Sequence, residues 1–129
     1  MGAWRLVSFV LRDADGRERY PMGQDPVGII IWDTSGAMSA QLGRRDGDGP
    51  YVAYFGTIEV EDASEGELTH HVEGGSAARF REDQVRRFRF VDDDTLELQL
   101  PPDATGTEST LTWRRISAEP PTRREAGTT

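Results

Sequence analysis

Along most of the chain, apolar and polar positions alternate with a period of two, in short runs bounded by turn residues. Residues 4–11, 27–32, 37–42, 51–61, 67–74, 84–91, 95–100 and 108–116 each read as a strand, and residues 17–20 as a brief further segment. Asp13-Ala14-Asp15-Gly16 and Asp33-Thr34-Ser35-Gly36 supply turn chemistry, and residues 21–26 and 43–50 read as loops. Residues 79–83 are expected to form a brief helical turn or lid. No window sustains the 3.6-residue period of a major helix. Eight or nine strands with turns between neighbours predict an all-β fold, an antiparallel up-and-down barrel with little helix. About eight strands enclose a space that side chains fill or that one small ligand occupies. Residues 1–116 form this domain; residues 117–129, with two prolines and few apolar positions, are expected to be a disordered tail.

Strand phase then nominates an interior. Trp4, Leu6, Ser8 and Val10 share a face, as do Tyr54, Ile58 and Val60, with Gly56 leaving room between them. Gln84, Arg86, Phe88 and Phe90 share another, followed by Leu96, Leu98, Leu100, Leu111 and Trp113. The only two histidines are adjacent, so they point to opposite sides: His70 falls with Leu68 and Val72, and His71 with Thr69 and Glu73. The inward polar groups Tyr54, His70 and Arg86 are the candidate catalytic residues. Gln84, Phe88, Ile58 and Trp32 are candidate ligand contacts, joined by Ser39 and Gln41 if their strand has the opposite phase. An inward arginine needs an anion or several acceptors. For Arg86 the alternatives are a ligand carboxylate or enolate and an internal acid such as Glu73. Arg115 shares the face of Trp113.

Composition narrows the partners. A formal charge of −8 argues against non-specific nucleic-acid binding, because the arginine pairs are scattered among acids and form no stripe. No window reaches the ~20 apolar residues of a membrane span, and no secretory signal is visible. The chain has no cysteine, which removes thiol chemistry and fits a reducing cytoplasm. One inward histidine is too few for a metal site, and phosphate-loop and dinucleotide fingerprints are missing, so neither metal nor cofactor is expected.

Gly2-Ala3-Trp4 opening the first strand resembles the Gly-x-Trp signature of lipocalins. With the stretches at residues 4–9, 20–28, 38–41, 54–56, 70–74 and 84–88, the chain resembles the bacterial and fungal lipocalin-like domain family, often associated with natural-product biosynthesis. It departs from that family in the shortened loop at residues 43–50 and in residues 75–80. The resemblance implies a barrel that binds a small apolar or polyketide-like ligand, and an arginine stacked on the tryptophan that closes it, a role for which Arg115 is a better candidate than Arg86. It carries two readings of function: a cyclase or isomerase of secondary metabolism working without a cofactor, or a non-catalytic carrier. A third alternative is a barrel filled by its own side chains. Residues 6–11 and 27–32 are apolar on both faces, so a homodimer using Val7, Phe9, Ile29 or Ile31 and Phe55 is a further expectation.

Overall fold

The computed structural model describes residues 1–60, 65–76 and 82–116, with the backbone alone of Glu65. The tail at 117–129 lies outside the described residues, as do most of the turn at 62–66 and most of the segment at 79–83. The strands are β1 (Gly2–Arg12), β2 (Glu18–Arg19), β3 (Pro26–Trp32), β4 (Ala37–Arg44), β5 (Tyr51–Val60), β6 (Glu65–Gly75), β7 (Gln84–Phe90), β8 (Thr95–Leu100) and β9 (Glu108–Arg115). Each of the eight strands β1 and β3–β9 pairs antiparallel with its neighbours, and β1 also pairs with β9, closing the ring. Closure removes the exposed edges that an open sheet of this length would carry. The two-residue β2 merely extends the far end of β1, where Leu11 pairs with Arg19. Among the described residues there is no helix, hence none able to cross a membrane.

Tight turns follow the sequence chemistry. At the β3–β4 hairpin an Asp33 carboxylate oxygen accepts from the Ser35 amide, and Gly36 takes the left-handed conformation at φ 93°. β4 is longer than expected: Gly43 pairs with Tyr51, so strand pairing takes the first two residues of the predicted loop at 43–50.

Two bulges alter the alternation. On β1, Leu6 pairs with Trp113 and Ser8 with Thr112, which leaves Val7 as an extra residue. Before it, Trp4 and Leu6 face inward; after it, Phe9 and Leu11 do. The inward phase assigned to Ser8 and Val10 is therefore corrected. The expected dimer face also loses Phe9, while Val7, Ile31 and Phe55 remain exposed at 49%, 41% and 54%. The second bulge is Glu73 on β6, between the pairs Phe55–Gly74 and Gly56–Val72. There the β6 backbone comes so close that a Cβ on Gly56 would collide with the His71 carbonyl oxygen. Only glycine fits that position.

Packing divides the barrel along its axis. At the end holding the start of β1, Trp4 and Trp32 meet edge to face with centroids 5.0 Å apart, and Phe90 packs against Trp4. Leu68, Phe88, Leu96 and Met38 fill the rest of this end. The Arg115 guanidinium lies 4.7 Å from the centre of the Trp4 ring and donates to the carbonyls of Asp93 and Met1. Arg115 thus seals this end, as the resemblance implied.

Candidate functional site

The opposite half of the barrel is open. A cavity of about 540 Å³ is walled by Phe9, Leu11, Ile30, Leu42, Leu98 and Leu111, among others, with Pro21, Met22, Pro50 and Glu82 contributing to its lining. Small inward groups such as Ala40 and Val52 leave room there among the larger Phe9, Tyr54 and Trp113. The wall is mainly apolar, with a few polar groups brought together on one side: Tyr54 from β5, and Gln84 and Arg86 from β7. That composition is typical of small-molecule pockets.

Arg86 is half-buried. Its Nη1 donates to the Val85 carbonyl at 2.8 Å and its Nη2 to the Gln84 side-chain oxygen at 3.0 Å. Gln84 is held in turn through its amide nitrogen to the Glu82 carbonyl at 2.9 Å. Burial lowers the Arg86 pKa, and the nearby Tyr54 hydroxyl partly offsets that effect. All these partners are neutral acceptors. Among the described residues no carboxylate forms an ion pair with Arg86, and Glu73 is exposed at its bulge.

Tyr54 connects the cavity to a buried chain of hydrogen bonds. His70 is completely buried; its Nε2 accepts from the Trp32 indole N–H at 3.1 Å, and its Nδ1 lies 2.8 Å from the Tyr54 hydroxyl. An indole nitrogen only donates, so Nε2 is bare and the neutral ring carries its proton on Nδ1. Burial, and then the charge of Arg86, push the His70 pKa down to about 3, so the ring stays neutral near neutral pH. Burial also raises the Tyr54 pKa, with Arg86 opposing.

Of the residues nominated from the sequence, Tyr54, Arg86 and Gln84 line the cavity. His70, Phe88, Ile58 and Trp32 face the barrel interior beneath it but are not part of its wall. His70 therefore touches Tyr54 rather than the open space. Ser39 and Gln41 are corrected: β4 turns Met38, Ala40 and Leu42 inward, leaving Gln41 outside to accept from the Tyr51 hydroxyl at 2.5 Å. The apolar phase of residues 38, 40 and 42 was the available signal. Phe9, Leu11, Ile30 and Val52 went unnominated, the first two because a bulge reverses their phase.

The outward neighbour of His70 has a different setting. His71 lies on the outer face between two carboxylates, with Nδ1 2.9 Å from Asp83 and Nε2 3.1 Å from Glu59. Hydrogen bonds to Glu59 and then Asp83 raise its pKa. No group of three or more candidate metal ligands occurs among the described residues.

Fold and cavity together define a closed eight-stranded barrel of lipocalin-like architecture. A family model described as a lipocalin-like domain matches residues 1–48, the stretch from β1 through β4, so the likeness seen in the sequence is found again over that part. Among solved structures, a de novo designed fluorescence-activating β-barrel is similar at a TM-score of 0.45 and 19% identity, covering 89% of this chain and 92% of that one. No curated protein matches the chain.

Proposed function

We propose that the barrel binds a small apolar molecule that carries an anionic head group, with the apolar body in the open half of the barrel and the head on Arg86. The observation that carries this reading is a half-buried arginine in an apolar cavity wall whose partners among the described residues are all neutral. Buried charges are normally paired. A ligand carboxylate, sulfonate or enolate would complete the set, and the planar guanidinium suits such groups. The chain's net charge of −8 repels an anion at Arg86 only weakly, because charges more than a Debye length away, roughly 8 Å at physiological salt, are largely screened.

Two dyes sharing one aromatic skeleton test this. 1-Anilinonaphthalene-8-sulfonate carries a sulfonate that N-phenyl-1-naphthylamine lacks. The folded protein should bind both, the sulfonate more tightly. Arg86→Met should lower the affinity for the sulfonate by about tenfold or more while leaving the neutral dye within about twofold. Equal losses for both dyes, or none, would remove Arg86 from the site.

A second, catalytic reading draws on the pairing of Tyr54 with Arg86. Two donors from adjacent positions on one wall suit the polarisation of a carbonyl, as a cyclase or isomerase acting on a folded polyketide-like substrate in a dry cavity would need. Conversion of a bound polyketide-like ligand, read by mass spectrometry and lost in both Tyr54→Phe and Arg86→Met, separates this from simple carriage.

A further inference from the structure

We infer that Trp32 and His70 form a positioning pair: by fixing the histidine tautomer they hold the Tyr54 hydroxyl as a donor towards the cavity, so that Tyr54 and Arg86 together select a head group that only accepts hydrogen bonds. This deepens the anionic-ligand reading and rests on it.

The chain of directions starts at the indole. Trp32 can only donate, and it donates to Nε2 of His70. The neutral ring must then donate from Nδ1 to the Tyr54 oxygen 2.8 Å away. Arg86, which also only donates, stands on the same cavity wall, and its charge acts on that hydroxyl. The Tyr54 oxygen is thus an acceptor towards His70, and its own proton is turned away from the histidine and from the cationic guanidinium. Were Nδ1 bare, the hydroxyl would instead give its proton to the ring and offer the cavity lone pairs. The tautomer therefore sets the sign of the hydrogen bond that Tyr54 makes with anything bound beside Arg86. A carboxylate or enolate has only acceptors and fits two donors; an ammonium fits neither. The burial of His70 keeps this setting constant with pH, because protonation that would break the Trp32 contact is held to strongly acid conditions.

The test uses two readouts, one of which needs no ligand. Nitrogen-15 NMR of the histidines should show His70 with Nδ1 protonated and Nε2 bare from about pH 5 to pH 8, given its pKa of about 3. Binding is measured with 2-naphthoate and with the neutral N-phenyl-1-naphthylamine. His70→Leu and Trp32→Phe should each weaken 2-naphthoate about tenfold, as Tyr54→Phe does, with the neutral dye unchanged. His70→Gln should restore most of that affinity, since its amide can accept from Trp32 and donate to Tyr54. If Trp32→Phe does not fold, the Gln and Leu variants at position 70 carry the same comparison. A His70 protonated on Nε2 overturns the positioning pair whatever the protein binds. So does 2-naphthoate affinity in His70→Leu equal to that of wild type. Failure of the wild type to bind either probe overturns the binding reading, and the selectivity with it, while the tautomer is still read independently.

Discussion

The two halves of the barrel use the same strands and the same alternation, yet one is solid and the other hollow. At the closed end, Trp4, Trp32, Phe88 and Phe90 meet with Met38, Leu68 and Leu96. At the open end, the same strands offer Ala40, Val52 and Leu42, and the space of about 540 Å³ remains. Small side chains help to leave the open end vacant, although Phe9, Tyr54 and Trp113 also face it. The polar chain spans this division. Trp32 and His70 are rooted in the solid half, and Tyr54 and Arg86 reach the hollow one. Rigid packing below is what holds a donor steady above.

The largest effect expected of a single change therefore lies at the closed end. Trp4 is fully buried, packed edge to face against Trp32 and covered by Arg115. Trp4→Ala should cost about 3–5 kcal/mol in denaturant unfolding. A loss below about 1 kcal/mol would mean that the closed end does not carry the stability of the barrel.

A matched pair of enlargements sharpens the contrast. Leu68→Phe adds volume where none is vacant and should cost about 1–3 kcal/mol. Val52→Phe adds similar bulk against the cavity and should stay within about 1 kcal/mol of wild type, because the ring enters vacant space. The same variant should abolish binding of N-phenyl-1-naphthylamine. Equal destabilisation by the two changes would show that the open half is as tightly packed as the closed one.

Much of this division was legible in the sequence, and the gaps have physical causes. Alternation placed Trp4, Tyr54, His70, Arg86 and Leu96 on the inner face, because on regular strands phase follows directly from residue number. It failed at Ser8 and Val10, since Val7 is a bulge and one extra residue reverses every side chain beyond it. Nothing in the run from Trp4 to Leu11 marks that bulge, as it is apolar on both faces. Height along the barrel was not legible either. Phe88 and Ile58 share a face with cavity residues but lie below the cavity, and only the inter-strand register reveals it. The hydrogen-bond partner of His70 was equally hidden, for Trp32 lies 38 residues away on a strand that is not its neighbour.

Above about pH 5.5 the smallest effects come from the two adjacent histidines, which should respond to pH with opposite signs. His70 has a folded pKa of about 3, below its ordinary 6.5, so the unfolded chain takes up a proton first. Its contribution to stability is complete above about pH 6.5 and declines as pH falls towards 3, by at most about 1.4 kcal/mol per pH unit. Near pH 5.5 the loss should be about 1 kcal/mol. His71, held by Glu59 and Asp83, has a raised pKa. Its contribution is complete below about pH 6.5 and is lost as pH rises through the folded value. Being exposed to solvent, this pair of contacts should have the weaker effect. Other carboxylates titrate in acid as well, so the comparison must be made between variants rather than along one curve. His70→Gln should flatten the wild-type fall in unfolding free energy between pH 6.5 and 4, and His71→Gln should leave that limb unchanged. On the alkaline side the roles reverse, with only His71→Gln altering the slope. If both variants change the same limb, the two rings do not occupy opposite sides of the barrel wall.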